Sequence, residues 1–430
     1  DTATWWLDTV GVDGFRLDAV LYIVEELGQL QNTNGTFQFW QDYNAHVKSV
    51  DPEAFSVGEA WTASTTVIQY VIDDRLDTCF EFDLSYAMLN AVNGADAGFL
   101  HGKAAQVYNL YPYLQYATFL TNHDQDRSFN VLGNDEDKAK AAAGIYLTQP
   151  GVPFLYYGEE IGMVGTGAHE NIRSPMQWTD GSNAGFTTGS PWQPINGNYE
   201  QYNVLVEDTD PGSLLNWYKR LIRVRNRTPA LRHGTHQPLA SSMSPILAYV
   251  REEAPQTVLC LINTSPIAQG GITLTGTESS LTPGDHAVVD LLDPADSRTL
   301  TVTPGYEITG LSLAGHEVRI YEFEDLTGVD PGDGAPPETG LRLEQNHPNP
   351  FNPSTTIRYE LPERAHVRLG VYDAAGREVA VLRDEVQAKG EQAVRWDGID
   401  EGGQPVGAGV YFVQLDAGGD ARRSKLTLLK

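Results

Sequence analysis

Along the first half of the chain, short apolar runs alternate with longer amphipathic stretches. The runs at 12–17, 54–57, 78–82, 117–121 and 152–157 have the length of buried strands. The stretches 37–50, 65–72, 103–113 and 137–148 carry apolar residues at helical spacing, as does 213–227 with Leu214, Leu215, Tyr218, Leu221 and Ile222. This alternation predicts βα units around a parallel sheet, in a barrel or a doubly wound form. No G-x-G-x-x-G follows a strand and no G-x-x-x-x-G-K-[ST] occurs, which removes support for nucleotide binding. The chain opens inside an amphipathic pattern, with Trp5, Trp6, Leu7 and Val10 reading as the last turns of a helix. We therefore expect it to be a piece of a longer polypeptide.

The texture changes near residue 236. Strand-like runs at 246–250, 258–262, 287–291 and 318–323, separated by Gly- and Pro-containing turns, predict a small antiparallel β-domain over 236–325. Residues 326–340 hold Pro331, Gly332, Gly334, Pro336 and Pro337 and read as a linker. In 341–430, runs at 355–359, 366–372, 378–382, 392–396 and 410–415 alternate apolar and polar residues between turns, the pattern of a β-sandwich.

Composition narrows the function classes. The chain has 430 residues, room for about three domains at roughly 150 residues each. Its net charge of −28 repels nucleic acid and anionic lipid, so neither is an expected partner. No stretch approaches the roughly 20 apolar residues of a membrane helix. The two cysteines, Cys79 and Cys260, lie in different predicted domains and are read as separate buried thiols.

Catalytic residues of a β/α barrel sit at the C-terminal ends of its strands. Three acids fall there: Asp18 after Gly14-Phe15-Arg16-Leu17, Glu59 after Phe55-Ser56-Val57-Gly58, and Asp124 after Thr121-Asn122-His123. Strand periodicity puts Arg16 and Asp18 on one face, so a cation accompanies the first acid. Two carboxylates in different protonation states are what retaining glycoside hydrolysis requires. An acid after a strand is often only a solvated loop residue or a helix cap. Three in this order, flanked by Arg16 and His123, form a much more specific pattern.

Gly14–Ala19 (GFRLDA), Gly58–Trp61 (GEAW) and Phe119–Asp124 (FLTNHD) resemble conserved regions II, III and IV of the α-amylase family, glycoside hydrolase family 13. Gly151–Glu159 (GVPFLYYGE) resembles the eighth strand of its barrel. The resemblance covers about 1–325. It implies a partial (β/α)8 TIM barrel, strands four to eight, over 1–235, followed by the family's domain C over 236–325. By the same resemblance Asp18 is the nucleophile, Glu59 the general acid and base, and Asp124 the transition-state stabiliser. Arg16 then orients Asp18, and His123 contacts the sugar. Region I, strands one to three and domain B have no counterpart, so the fragment alone is expected to be inactive.

Ile172–Trp178 (IRSPMQW) with Asn183–Phe186 (NAGF) resembles a loop of oligo-1,6-glucosidases, trehalose synthases and related intermediate α-amylases. Its apolar side chains pack the loop or, with Arg173 and Trp178, form a sugar-binding wall. Ala19 after the nucleophile resembles the α-1,4 type. Leu21 and Tyr22 replace the Lys-His pair of many members. Hydrolysis of starch or malto-oligosaccharide is the expected activity, with transglycosylation or α-glucosidase action as the same-class alternative. A non-catalytic glucan-binding protein on an amylase fold is the other class.

The last block resembles something else. Leu343–Pro353 (LEQNHPNPFNP), with Val371-Tyr372-Asp373, Trp396-Asp397-Gly398 and Gly409–Phe412, is similar to type A sorting domains of the type IX secretion system. That implies the secretion machinery as a partner and a secreted or cell-surface location. No cofactor is needed for the chemistry. Structural calcium is common in the α-amylase family, but its usual ligands have no counterpart and no metal residue is named. His101, His169, His233, His236 and His347 show no metal-ligand spacing and are expected to be structural.

Overall fold

The computed structural model describes residues 2–276, 281–323, 342–343, 346, 351, 353–361, 364–373, 377–400, 402–417 and 420–428. The chain divides into two compact units, 1–327 and 328–430. The expected linker at 326–340 lies outside the described residues.

In the first unit five parallel strands pair in chain order: β1 (Gly14–Leu17), β2 (Phe55–Gly58), β3 (Thr78–Phe80), β4 (Tyr116–Thr118) and β5 (Val152–Pro153). Helices follow the strands. Asn34–Val50 starts where Thr33 accepts from the Thr36 amide, and it buries Thr36, Trp40 and Val47. Glu136–Thr148 starts on the Asp135 side chain and buries an alanine-rich face. Helix Phe82–Gly94 was not expected; the 78–82 run was read as strand throughout. Eight of its residues are buried, and Tyr86, Asn90 and Asn93 leave only a narrow exposed face to mark its period.

The remaining strands of this unit form a nine-stranded antiparallel sheet. Two adjacent strands near one edge, Ile246–Glu253 and Gln256–Asn263, are buried on both faces. Leu247, Tyr249, Val258, Cys260 and Ile262 join the core of the α/β part. Ala248, Val250, Leu259 and Leu261, on the opposite face, join the sheet's own core. Their unbroken apolar runs follow from this, because a strand covered on both sides has no polar face. Cys79 and Cys260 are both buried and unpaired.

In the second unit Arg342–Leu343, Thr355–Leu361 and Gly390–Trp396 form one antiparallel sheet, and Ala365–Asp373, Glu378–Gln387, Gly409–Ala417 and Asp420–Leu428 another. Inward residues of both, including Ile357, Trp396, Leu369 and Val413, make one core. Most of the 343–353 motif lies outside the described residues; Asn346 is buried and donates to Thr355 Oγ1 at 2.8 Å.

After β5 the chain reverses at Gly158, whose φ of +81° is accessible to glycine without strain. The turn carries Glu159 into the core, where the Tyr146 and Tyr218 hydroxyls donate to one carboxylate oxygen at 3.1 and 2.7 Å. Burial pushes the Glu159 carboxyl up to about 8, and Glu160 adds repulsion. Burial likewise pushes Glu207 up to about 7. A carboxyl raised in the folded state stabilises fully below its unfolded value, and that contribution is lost as pH rises through the folded value. Thermal melts should therefore fall between about pH 5 and pH 8. Glu159→Gln should reduce that slope while leaving the melt at pH 5 unchanged. Parallel slopes in the two proteins would refute the assignment.

Candidate active site

The site is built at the C-terminal ends of β1, β2 and β4. The β1–β2 register pairs Leu17 with Gly58, so Asp18 and Glu59 leave adjacent strands side by side. The backbone of Glu59 holds both sides of the Asp18 turn. Its N–H donates to the Leu17 carbonyl at 2.8 Å, and its carbonyl accepts from Val20 N–H at 3.1 Å. Between these contacts Ala19 has a left-handed φ of +43°, a conformation that costs a non-glycine residue roughly 1 kcal/mol. The turn aims the Ala19 N–H at Glu59 Oε2, 3.0 Å away. Trp40, from helix Asn34–Val50, donates its indole N–H to the Val20 carbonyl at 2.8 Å and fixes the far side.

Arg16 joins the two acids. One guanidinium nitrogen pairs with Asp18 Oδ1, and the other lies 3.2 Å from Glu59 Oε2. The two carboxylates differ in setting: the Asp18 side chain is 77% exposed and that of Glu59 only 11%. One acid is open to an approaching ligand, and the other is enclosed and hydrogen-bonded. Trp61, two residues after Glu59, stacks on Phe82 at 4.6 Å and 10°.

Asp124 is met by one guanidinium and two imidazoles. Arg173 Nη2 lies 2.6 Å from Oδ1 and His123 Nε2 lies 3.2 Å from Oδ2. The Asp124 N–H donates to Asn122 Oδ1 at 2.9 Å. His169, expected to be structural, lies instead against Asp124 Oδ1 through Nδ1 at 3.2 Å. The sequence signal was its position four residues before Arg173, on the same side of the short helix His169–Ile172. Arg173 therefore belongs to the Asp124 cluster. Trp178 is about half exposed, with its backbone tied to Ala184 and Leu205.

Other acids follow strands without joining the site. Glu81, after β3, is buried beneath Ser64 and Tyr111, which donate to it, and burial raises its carboxyl above the ordinary value. A cavity of about 670 Å³ lined by Gln41, Asn44, Lys48, Asp74 and Asp77 adjoins the start of β3, the end of the strand away from the acids. Among the described residues no three His, Cys, Asp or Glu side chains group as a metal site. No described helix is long and apolar enough to cross a membrane.

Comparison with known proteins agrees with this geometry. The alpha amylase catalytic domain model matches residues 1–234, and a FlgD Ig-like domain model matches 352–420. Alpha-amylase 3 of Dictyoglomus thermophilum is 34% identical over 271 residues, covering 62% of this chain and 52% of that protein. Trehalose synthase/amylase TreS of Mycobacterium tuberculosis is 32% identical over 320 residues, covering 63% and 53%. The crystal structure of an alpha-amylase from H. orenii superposes with a TM-score of 0.63 at 31% identity, covering 75% of this chain and 63% of that one. The chain thus spans about half the length of the relatives it matches in sequence. With the catalytic-domain match extending over more than half of its residues and the three acids following strands of one parallel sheet, the chain belongs to the α-amylase family.

Proposed function

We propose that these residues are part of a retaining α-glucoside hydrolase that cleaves α-1,4-glucosidic bonds of starch or malto-oligosaccharides. The observation that carries this reading is Arg16 bridging an exposed Asp18 and an enclosed Glu59. Asp18 attacks the anomeric carbon while Glu59 protonates the leaving oxygen; Glu59 then takes a proton from water, which releases the sugar from Asp18. Asp124 binds sugar hydroxyls as the ring distorts, His123 contacts the sugar beside it, and Arg173 and Trp178 line the approach. We assign β1–β5 as strands four to eight of a (β/α)8 barrel, 236–325 as domain C and 341–430 as a sandwich. Type IX export to the cell exterior rests on the 343–353 motif, and the acidic surface suits a neutral glucan only as a solubility device.

The test is product analysis by NMR in the intact enzyme. Maltotriose should yield product first in the α configuration; first-formed β product would refute a retaining reaction. The similarity to TreS favours one second reading, transfer to a sugar in place of water. Trehalose accumulating from maltose would select it.

A further inference from the structure

We propose that His169 is a positioning residue for Asp124, acting through Arg173; this rests on the proposed role of Asp124 in glucoside cleavage. Arg173 Nη2 carries two hydrogens and meets two acceptors, Asp124 Oδ1 at 2.6 Å and His169 Nδ1 at 2.9 Å. His169 Nδ1 lies 2.9 Å from Arg173 Nη2 and 3.2 Å from Asp124 Oδ1; a guanidinium can only donate, so the shorter contact is a hydrogen bond in the tautomer that has its lone pair on Nδ1 and its hydrogen on Nε2. In that tautomer His169 takes one hydrogen of Nη2 and directs the other at Asp124. Arg173 Nε is meanwhile held by the His123 carbonyl at 3.0 Å. The guanidinium plane is thus defined by three acceptors, and it fixes one oxygen of Asp124. His123, at 3.2 Å, is left to the other oxygen.

The segment bearing His169 is attached to the segment bearing Asp124. Arg127 N–H donates to the Gly165 carbonyl at 2.9 Å, and Arg127 Nε to the Ile172 carbonyl at 2.9 Å. Gly165 N–H donates to Asn130 Oδ1 at 2.5 Å, and Gly167 N–H to Asp126 Oδ1 at 2.8 Å. His169 therefore arrives on a braced loop, although its side chain is 63% exposed. Bracing of this kind positions reacting groups, and displacement by about 1 Å is worth up to about a hundredfold in rate.

The test compares His169→Ala, His169→Asn and Asp18→Asn in the intact enzyme on maltotriose, with a thermal melt of each. An Asn carboxamide oxygen can replace Nδ1 as acceptor for Arg173. The expected result is a roughly tenfold fall in kcat for His169→Ala with KM within threefold, at least half of that loss restored by His169→Asn, and unchanged melts. Wild-type kinetics in His169→Ala, beside a dead Asp18→Asn, overturn the His169 proposal alone. A loss confined to KM, one that Asn fails to restore, or one that follows a lowered melt also overturns it. Full activity in Asp18→Asn overturns the underlying catalytic reading, and the His169 role falls with it.

Discussion

Asp18→Asn should lower kcat on malto-oligosaccharides by at least about 10⁴-fold, equivalent to about 5.5 kcal/mol of barrier. The amide oxygen is a poor nucleophile, and the glycosyl-enzyme bond cannot form with a stable leaving oxygen. The substitution is isosteric at an exposed side chain, so the melt should not move. Arg16 would keep its second contact, to Glu59. Glu59→Gln gives an internal control, since proton donation matters in proportion to leaving-group basicity. Glucan cleavage should fall by about 10²–10⁴-fold in Glu59→Gln, whereas bond breaking in an activated aryl glucoside should be largely spared. Asp18→Asn should lose both substrates. If Asp18→Asn keeps more than about a hundredth of wild-type turnover on either substrate, the nucleophile has been misassigned.

The largest effect on stability is expected from Arg225→Ala. Arg225 projects from helix Leu214–Arg227 and donates to three carbonyls, those of Leu147, Gln149 and Gly151, at 2.7, 2.9 and 2.8 Å. These oxygens lie at the end of helix Glu136–Thr148 and in the turn into β5, where helical partners run out. Burial and the neighbouring Arg251 push the guanidinium down to about 10, which leaves it charged at neutral pH. Removing it strands three buried acceptors at about 1–3 kcal/mol each, so a loss of about 4 kcal/mol is expected after allowing for non-additivity. In a unit this large that corresponds to a melt lowered by about 6 °C. A shift under about 2 °C by calorimetry would show that water satisfies the three carbonyls.

Much of this molecule was legible in its residues, but unevenly. All five parallel strands were anticipated because each is an apolar run of the right length, although β5 stops at Pro153 where the run continues to Tyr157. Beyond Pro153 the aromatic residues serve packing, with Tyr156 and Tyr157 stacked against the buried Arg127. Gln269–Thr275, Asp293–Val302 and Glu307–Leu313 escaped notice for the opposite reason. They keep one face in solvent and alternate small polar residues with few apolar ones, so the hydrophobic signal is diluted. At the site, the motif around each acid was visible, yet position after a strand did not separate functional from structural carboxylates. Glu81 and Glu159 also follow strands, and both turn inward onto tyrosine hydroxyls. The difference is a cation at the strand end. Arg16 is two residues from Asp18 and easily read, whereas Arg173 reaches Asp124 from some fifty residues away, where local spacing carries no information.

Leu247, Tyr249, Val258, Cys260 and Ile262 belong to the interior of the α/β part, while their immediate neighbours in sequence belong to the β-sheet's own interior. A wall shared in this way cannot be exchanged as a cassette. A chimera joined near residue 235 would carry the sheet's own core intact but would have to fit its other face, set one residue out of phase, to a foreign α/β part. Recombination between relatives should therefore tolerate a crossover at 327–328, where the contacts divide, and select against crossovers at the start of the sheet. The β-sheet is inherited with the acids it stands behind, although it supplies none of them.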